Sequence, residues 1–314
     1  MPEYAAHRIL WHWDAHVASR QVLTRSGAWQ TPVLFGVLDD RSRLICHLQW
    51  YWTESAEIVA HGLSQAIQKR GQPRSALSDN GAAMTAAEIA QGLTRLGIHH
   101  ATTLPYSPFQ NGKIEVLWGA VEGRLMAMLD GVEELTLAML NEATQAWAEH
   151  EYNQTVHSET GDAPLARFLA GPSVARPSPD STALRLAFTR TEQRLQRKSD
   201  GTIVLEGRRF EVPDRYRHLS RLELRFASWD LGYVHLVDDQ TGAVLCRLFP
   251  QDKVANANAL RRTREPVAAA GAPPHGAGAV GTPAIAPLLA QLIEQQRSTG
   301  LPAAYLPKDD GEPE

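Results

Sequence analysis

Three acidic residues in this sequence are spaced for metal chemistry: Asp14 in Trp13-Asp14, Asp79 in Ser78-Asp79-Asn80-Gly81, and Glu115 at the end of Pro105-Tyr106-Ser107-Pro108-Phe109-Gln110-Asn111-Gly112-Lys113-Ile114-Glu115. Carboxylates are hard oxygen ligands that suit Mg²⁺ or Mn²⁺. Two such ions about 3.5–4 Å apart can stabilise both the attacking and the leaving oxygen of an in-line phosphoryl displacement. That reaction needs no nucleophile from the protein.

The residues around these acids have blander readings. His12 and His16 flank Asp14 at two-residue intervals, but nitrogen ligands favour Zn²⁺ over Mg²⁺, so both are read as hydrogen-bonding neighbours. Asn80-Gly81 suits a turn with positive φ after a strand. Lys113 is a candidate phosphate contact, Asp39-Asp40 a solvated hairpin turn, and His99-His100 a structural pair. Cys46 and Cys246 form neither a disulfide framework nor a zinc knuckle and are read as buried small residues.

Periodicity supplies the elements that must position the acids. Residues 8–16 alternate as a strand, 31–38 form an apolar strand, and 44–52 alternate again and pair back on it. The spacing of Ile58, Val59, Leu63, Ala66 and Ile67 predicts a helix over 55–70. A short strand follows at 75–78, a helix at 86–96, a strand at 98–103, a loop at 105–112, and helices at 113–129 and 135–152. Three antiparallel strands feeding βαβ units give an α/β fold: a ribonuclease-H-like mixed five-stranded sheet with flanking helices. Strands one and four are neighbours in that order, so Asp14 and Asp79 can bracket one ion while Glu115 leans in from its helix.

The quoted motifs, with 35 residues between Asp79 and Glu115, resemble those of the DDE transposase and retroviral integrase superfamily. The resemblance covers residues 8 to about 165. It implies Asp14, Asp79 and Glu115 as catalytic residues and metal ligands for two Mg²⁺ or Mn²⁺ ions. It implies, further, a polynucleotidyl transferase in which water cleaves DNA at an element's end and the freed 3′-hydroxyl attacks target DNA. A homo-oligomer goes with it. Rival readings are a nuclease that cuts without joining and a non-catalytic DNA-binding protein derived from a transposase.

The net charge of −4 is unevenly spread: residues 1–172 hold 12 Lys+Arg against 18 Asp+Glu, residues 173–264 hold 17 against 11, and residues 265–314 hold 2 against 6. The expected organisation is a core over 1–172, a linker over 173–188, a basic all-β barrel over 189–264, and a flexible tail with a short amphipathic helix over 265–314. Five short strands between 202 and 248 build the barrel. Its basic surface is the footprint of a phosphate-backbone partner, with Arg194, Arg197, Lys198, Arg208, Arg209, Arg215, Arg217 and Arg221 as candidate DNA contacts.

The barrel resembles, more loosely, the one following the catalytic core in phage Mu transposase and its relatives; a generic SH3-like interaction domain is the alternative. The Mu-like layout implies an AAA+ ATPase partner for the segment Leu288–Tyr305, which suits a helix-in-groove peptide. Relatives usually carry helix-turn-helix domains ahead of the core, whereas this sequence starts about eight residues before the first catalytic strand, which leaves three readings: a truncated transposase, a subunit that borrows recognition of DNA ends, or a remnant. Without a signal sequence or an apolar run of membrane-spanning length, the expected location is cytoplasmic and nucleoid-associated, with no membrane partner.

Overall fold

The structure, a computed structural model, describes residues 10–103, 112–171, 176–251 and 285–299. It divides into two compact units, residues 1–189 with 283–314, and residues 190–282. The Pro105–Asn111 motif, residues 265–284 of the tail and its end beyond residue 299 lie outside the described residues.

In the first unit, β1 (Leu10–Val17), β4 (Val33–Asp39), β5 (Ile45–Tyr51), β6 (Ser75–Ser78) and β7 (His99–Thr102) form one sheet in the order β5-β4-β1-β6-β7. The β5-β4-β1 half is antiparallel and the β1-β6-β7 half parallel. This is the ribonuclease-H-like order expected from the sequence. A small hairpin of β2 (Val22–Leu23) and β3 (Trp29–Gln30), absent from that expectation, fills the β1–β4 connection.

Alternation sorts β1 cleanly. Trp11 and Trp13 are buried on one face, while His12, Asp14 and His16 share the other. In β4 both faces are covered, with Leu34 and Leu38 on the Asp14 side and Phe35 against Gly62 of α1 (Ala56–Arg70) on the other. Helix α1 starts where Ser55 caps Ile58 N, ends at Gly71 with φ 82°, and buries the stripe the spacing predicted.

Strand β5 lies at the sheet edge, and its outward backbone groups need partners. Side-chain amides supply them. Asn141 of α4 (Leu137–His150) accepts from Trp50 N at 2.8 Å and donates to Trp50 O at 3.0 Å; Asn153 does the same for Ile45 at 2.9 and 3.2 Å. Gln145 donates to Leu48 O between them. These amides stand in for a sixth strand and fix α4 against the sheet.

Helices α2 (Ala87–Arg95), α3 (Gly112–Ala120, widening to a π turn over Val121–Met126) and α5 (Pro164–Leu169) complete the expected region. Two expectations are corrected. The stretch 173–188 is not simply a linker: it holds α6 (Ser181–Ala187), with Leu184, Ala187 and Phe188 buried and Gly92 of α2 leaving room for the Phe188 ring. The tail helix α7 (Pro287–Ser298) packs Leu289, Leu292 and Ile293 into the core beside α4, so its apolar face is occupied. Both segments were read by local composition, and neither Pro-Ser richness nor distance along the chain reports a tertiary contact.

In the second unit, β8 (Arg190–Leu195), β11 (Arg221–Ala227), β12 (Asp230–Val237) and β13 (Val244–Leu248) form an antiparallel sheet, with β9 (Thr202–Leu205) and β10 (Arg208–Glu211) as a hairpin. Isolated bridges link Arg197 to Thr202 and Phe210 to Pro250, and Phe210, Leu224, Phe226 and Val234 belong to one apolar cluster. The strand β8, rich in charge and half-exposed, escaped the sequence reading.

Candidate active site

Asp14 sits in mid-strand on the half-covered face of β1. Its Oδ1 accepts from Ala15 N at 2.8 Å and its Oδ2 from Trp118 Nε1 at 3.4 Å. Burial pushes its carboxyl up to about 6; the two donors act against that rise, while the negative charges of Asp79 and Glu54 add to it. Asp79 follows β6, the strand paired with β1, and its charge is one of the smaller contributions to that rise.

Asp79 follows β6 at the carboxyl end of the parallel half of the sheet, where open α/β sheets place ligands. Its Oδ1 accepts from Gly81 N at 3.0 Å, which folds the chain back in a tight turn. A Cβ at Gly81 would lie 3.1 Å from that oxygen. Neither Asn80 nor Gly81 has positive φ, contrary to the expectation. Asn80 instead ties the turn to β7 by donating to Thr103 O at 2.8 Å. His100 is structural, stacking on Trp13 at 5.0 Å and lying 2.9 Å from Ser78 Oγ.

Glu115 stands in the first turn of α3 and is exposed. Among the described residues no group of three His, Cys, Asp or Glu side chains is gathered closely enough to hold a metal ion. Asp14, Asp79 and Glu115 are therefore not gathered into such a group. The Glu115 helix is nonetheless laid along β1. Lys113 reaches Asp40, the partner of His12; Trp118 reaches Asp14 and stacks on His16; Glu122 reaches His16 and Ser19. Glu115 lies between the first two of these contacts, one turn before Trp118.

The neighbouring polar residues are paired. His12 Nε2 and Lys113 Nζ both meet Asp40 Oδ1 at 2.6 Å. Burial would raise Asp40, but these two hydrogen bonds and their positive charges outweigh it and hold the carboxyl well below the usual range. Asp39 is buried and accepts from Ser42 N at 2.9 Å and Ser42 Oγ at 2.6 Å. Reading Asp39-Asp40 as a solvated turn is corrected accordingly, since Asp39 is buried and Asp40 is paired, while Lys113, the candidate phosphate contact, meets Asp40. The sequence reading also missed Trp118 and Glu122, although positions 115, 118 and 122 fall on one helical stripe.

On the second unit, Arg197, Lys198, Arg208 and Arg221 are exposed. Others of the candidate DNA contacts are engaged: Arg194 with Glu192, Arg209 with Asp200 at 3.6 Å, Arg217 with Asp214 at 2.9 Å, and Arg215 over the Tyr216 ring at 4.8 Å. Cys246 is half-buried, unlike the fully buried Cys46. Among the described residues no helix is long and apolar enough to cross a membrane.

The five-stranded sheet and its flanking helices define a ribonuclease-H-like class, and known proteins are similar to it. Residues 7–108 match the family described as "Integrase core domain". The chain is 30% identical over 171 residues to the insertion element IS476 uncharacterized 39.2 kDa protein of Xanthomonas euvesicatoria, covering 49% of this chain and 48% of that protein. It spans about half the length of that relative.

Among solved structures it is similar to the catalytic core domain of BIV integrase, at 25% identity and TM-score 0.40, over 52% of this chain and 95% of that one. It is also similar to a simian T-cell lymphotropic virus intasome in complex with a PP2A regulatory subunit, at 16% identity and TM-score 0.46, over 77% and 76%. Over residues 7–108 the chain is thus similar to integrase core domains.

Proposed function

We propose that this protein is a DDE-type DNA strand transferase, a transposase that cleaves DNA at an element's end and joins the new 3′-hydroxyl to target DNA. The observation carrying the proposal is the adjacency of β1, which holds Asp14, and β6, which Asp79 follows, with the Asp79 charge adding to the burial that raises Asp14 to about 6. A dication held between these two carboxylates would relieve that repulsion. Their hard oxygens fit Mg²⁺ or Mn²⁺ and argue against a softer metal.

Asp14 and Asp79 would hold the first ion, and Glu115 would join once DNA and metal draw the first turn of α3 inward. Bound metal supplies charge neutralisation at the attacking and leaving oxygens. The chain itself holds Asp14 by the Ala15 amide and Trp118 indole, and Asp79 by the Gly81 amide. The exposed Arg197, Lys198, Arg208 and Arg221 suit the DNA backbone. A homo-oligomer, a cytoplasmic nucleoid-associated location and an AAA+ partner engaged through the tail go with this reading. The occupied face of α7 means that such a partner would use its outer side or displace it from α4.

The exposed position of Glu115 favours a second reading, a DNA-binding relative that no longer reacts. One assay separates them. Purified protein with labelled DNA and Mn²⁺ is expected to give nicked and joined products, lost in Asp79→Asn with the fold intact. Cutting without joining would make it a nuclease, and binding without either product would establish the second reading.

A further inference from the structure

Glu122 lies seven residues beyond Glu115, and nothing in the proposed chemistry uses it. Its carboxylate is nonetheless the most heavily engaged polar group between α3 and β1. Oε1 accepts from His16 Nε2 at 3.0 Å and from Ser19 N at 3.3 Å, and Oε2 accepts from Ser19 Oγ. His16, held this way, stacks on Trp118 with ring centroids 5.4 Å apart and planes 15° from parallel. Trp118 in turn donates to Asp14. The chain of contacts runs from Glu122 through His16 and Trp118 to the candidate metal ligand.

The backbone is adapted to it. Immediately after α3 the helix widens into a π turn over Val121–Met126, which keeps Val121, Leu125 and Met126 buried while Glu122 faces β1. Such turns are rare and recur at functional sites because they redirect side chains at a cost in hydrogen-bond geometry. Here the redirected side chain adds a third polar tie to those of Lys113 and Trp118.

We propose that Glu122 is a positioning residue: by gripping His16 and Ser19 it fixes the register of α3 along β1, and so sets where Glu115 stands relative to Asp14. A helix held to a strand only by apolar contacts can slide or rotate at small cost. One carboxylate taking three hydrogen bonds, from His16 on β1 and Ser19 just beyond its end, resists that movement. The inference rests on the strand-transferase reading for its consequence in catalysis, but the clamp itself is independent of that reading.

The test uses the full chain with Glu122→Ala, Glu122→Gln, His16→Ala and the His16/Glu122 double alanine variant. In metal-free protein, hydrogen exchange of residues 112–126 is expected to quicken in Glu122→Ala while α1 keeps its protection. Gln retains an acceptor oxygen for His16 and the Ser19 amide, so Glu122→Gln is expected to restore most of the protection. The double variant should be no worse than the single ones, because all break one clamp.

In the Mn²⁺ strand-transfer assay, Glu122→Ala should lose about 10–100-fold in kcat, as removal of groups that orient metal ligands does, with KM for DNA unchanged. Unchanged exchange at 112–126 would overturn the clamp, as would a loss spread over the whole first unit. Local loosening in a wild-type chain that neither cuts nor joins DNA would leave the clamp in place and refute the strand-transferase reading instead.

Discussion

Gly36 pairs with Asp14 across the β1–β4 ladder, and a Cβ at Gly36 would stand 2.6 Å from Trp118 Cη2. The missing side chain is what lets the indole lie flat across the sheet and reach the Asp14 carboxylate. Gly36→Ala is expected to push the indole away at a cost of about 1–3 kcal/mol, the usual range for overpacking a core. Urea denaturation measures that cost. A variant as stable as the parent, with Trp118 still on Asp14, would show that the close approach is not required.

Asp14 should titrate near 6 in metal-free protein, observable by carbon NMR of the labelled carboxyl. Two substitutions move it in opposite directions. Asp79→Asn removes a repelling charge and lowers it; Trp118→Phe removes a donor to the charged form and raises it further. Since the folded value exceeds the ordinary 3.8, ionised Asp14 opposes folding. The associated stability is full below about pH 4 and lost as pH rises through 6. Asp14→Asn should therefore stabilise the metal-free protein at pH 7, by on the order of 1 kcal/mol after solvent screening. A lower Tm in that variant would contradict the assignment.

Asp40 has the opposite sign. Its carboxyl is depressed below 3.8, so its contribution is full above that value and drains away as the pH falls through the folded value. Asp40→Asn removes the anion shared by His12 and Lys113 and is expected to cost about 1–3 kcal/mol at pH 7, with the difference from the parent shrinking in acid. Lys113→Ala should lower stability as well, and the double variant should fall short of the sum. If Lys113→Ala instead left stability untouched and weakened DNA binding, the phosphate-contact reading would hold.

Legibility in the sequence followed how local the signal was. The strands at Leu10–Val17 and Val33–Asp39 and the helix at Ala56–Arg70 carry their burial in their own periodicity, so they and the sheet order could be read directly. The adjacency of the strands bearing Asp14 and Asp79 was legible because the order of elements places the first strand beside the fourth of the expected sheet. What could not be read was pairing between distant polar residues. Asp40 with His12, Glu122 with His16, and the asparagines along the β5 edge each depend on partners 28 to 108 residues away. The strand Arg190–Leu195 was hidden because charge fills its half-exposed face, and Ser181–Ala187 because Pro177-Ser178-Pro179 signals a linker whether or not a helix follows.

The tail helix offers a comparison between apolar burial and surface charge at a single contact. Leu289 is fully buried beside α4, whereas Arg297 and Glu142 face each other with the arginine side chain 59% exposed, at 2.6 and 2.9 Å. Burial is worth far more here than an exposed ion pair, even a bidentate one. Leu289→Ala is expected to cost about 2–4 kcal/mol and Arg297→Ala less than about 1 kcal/mol. Calorimetry on the full chain measures both. If the two substitutions cost the same, or if Leu289→Ala costs nothing, then α7 is not held on the core by its apolar face. It would then be free to serve as the partner-binding peptide that the sequence suggested.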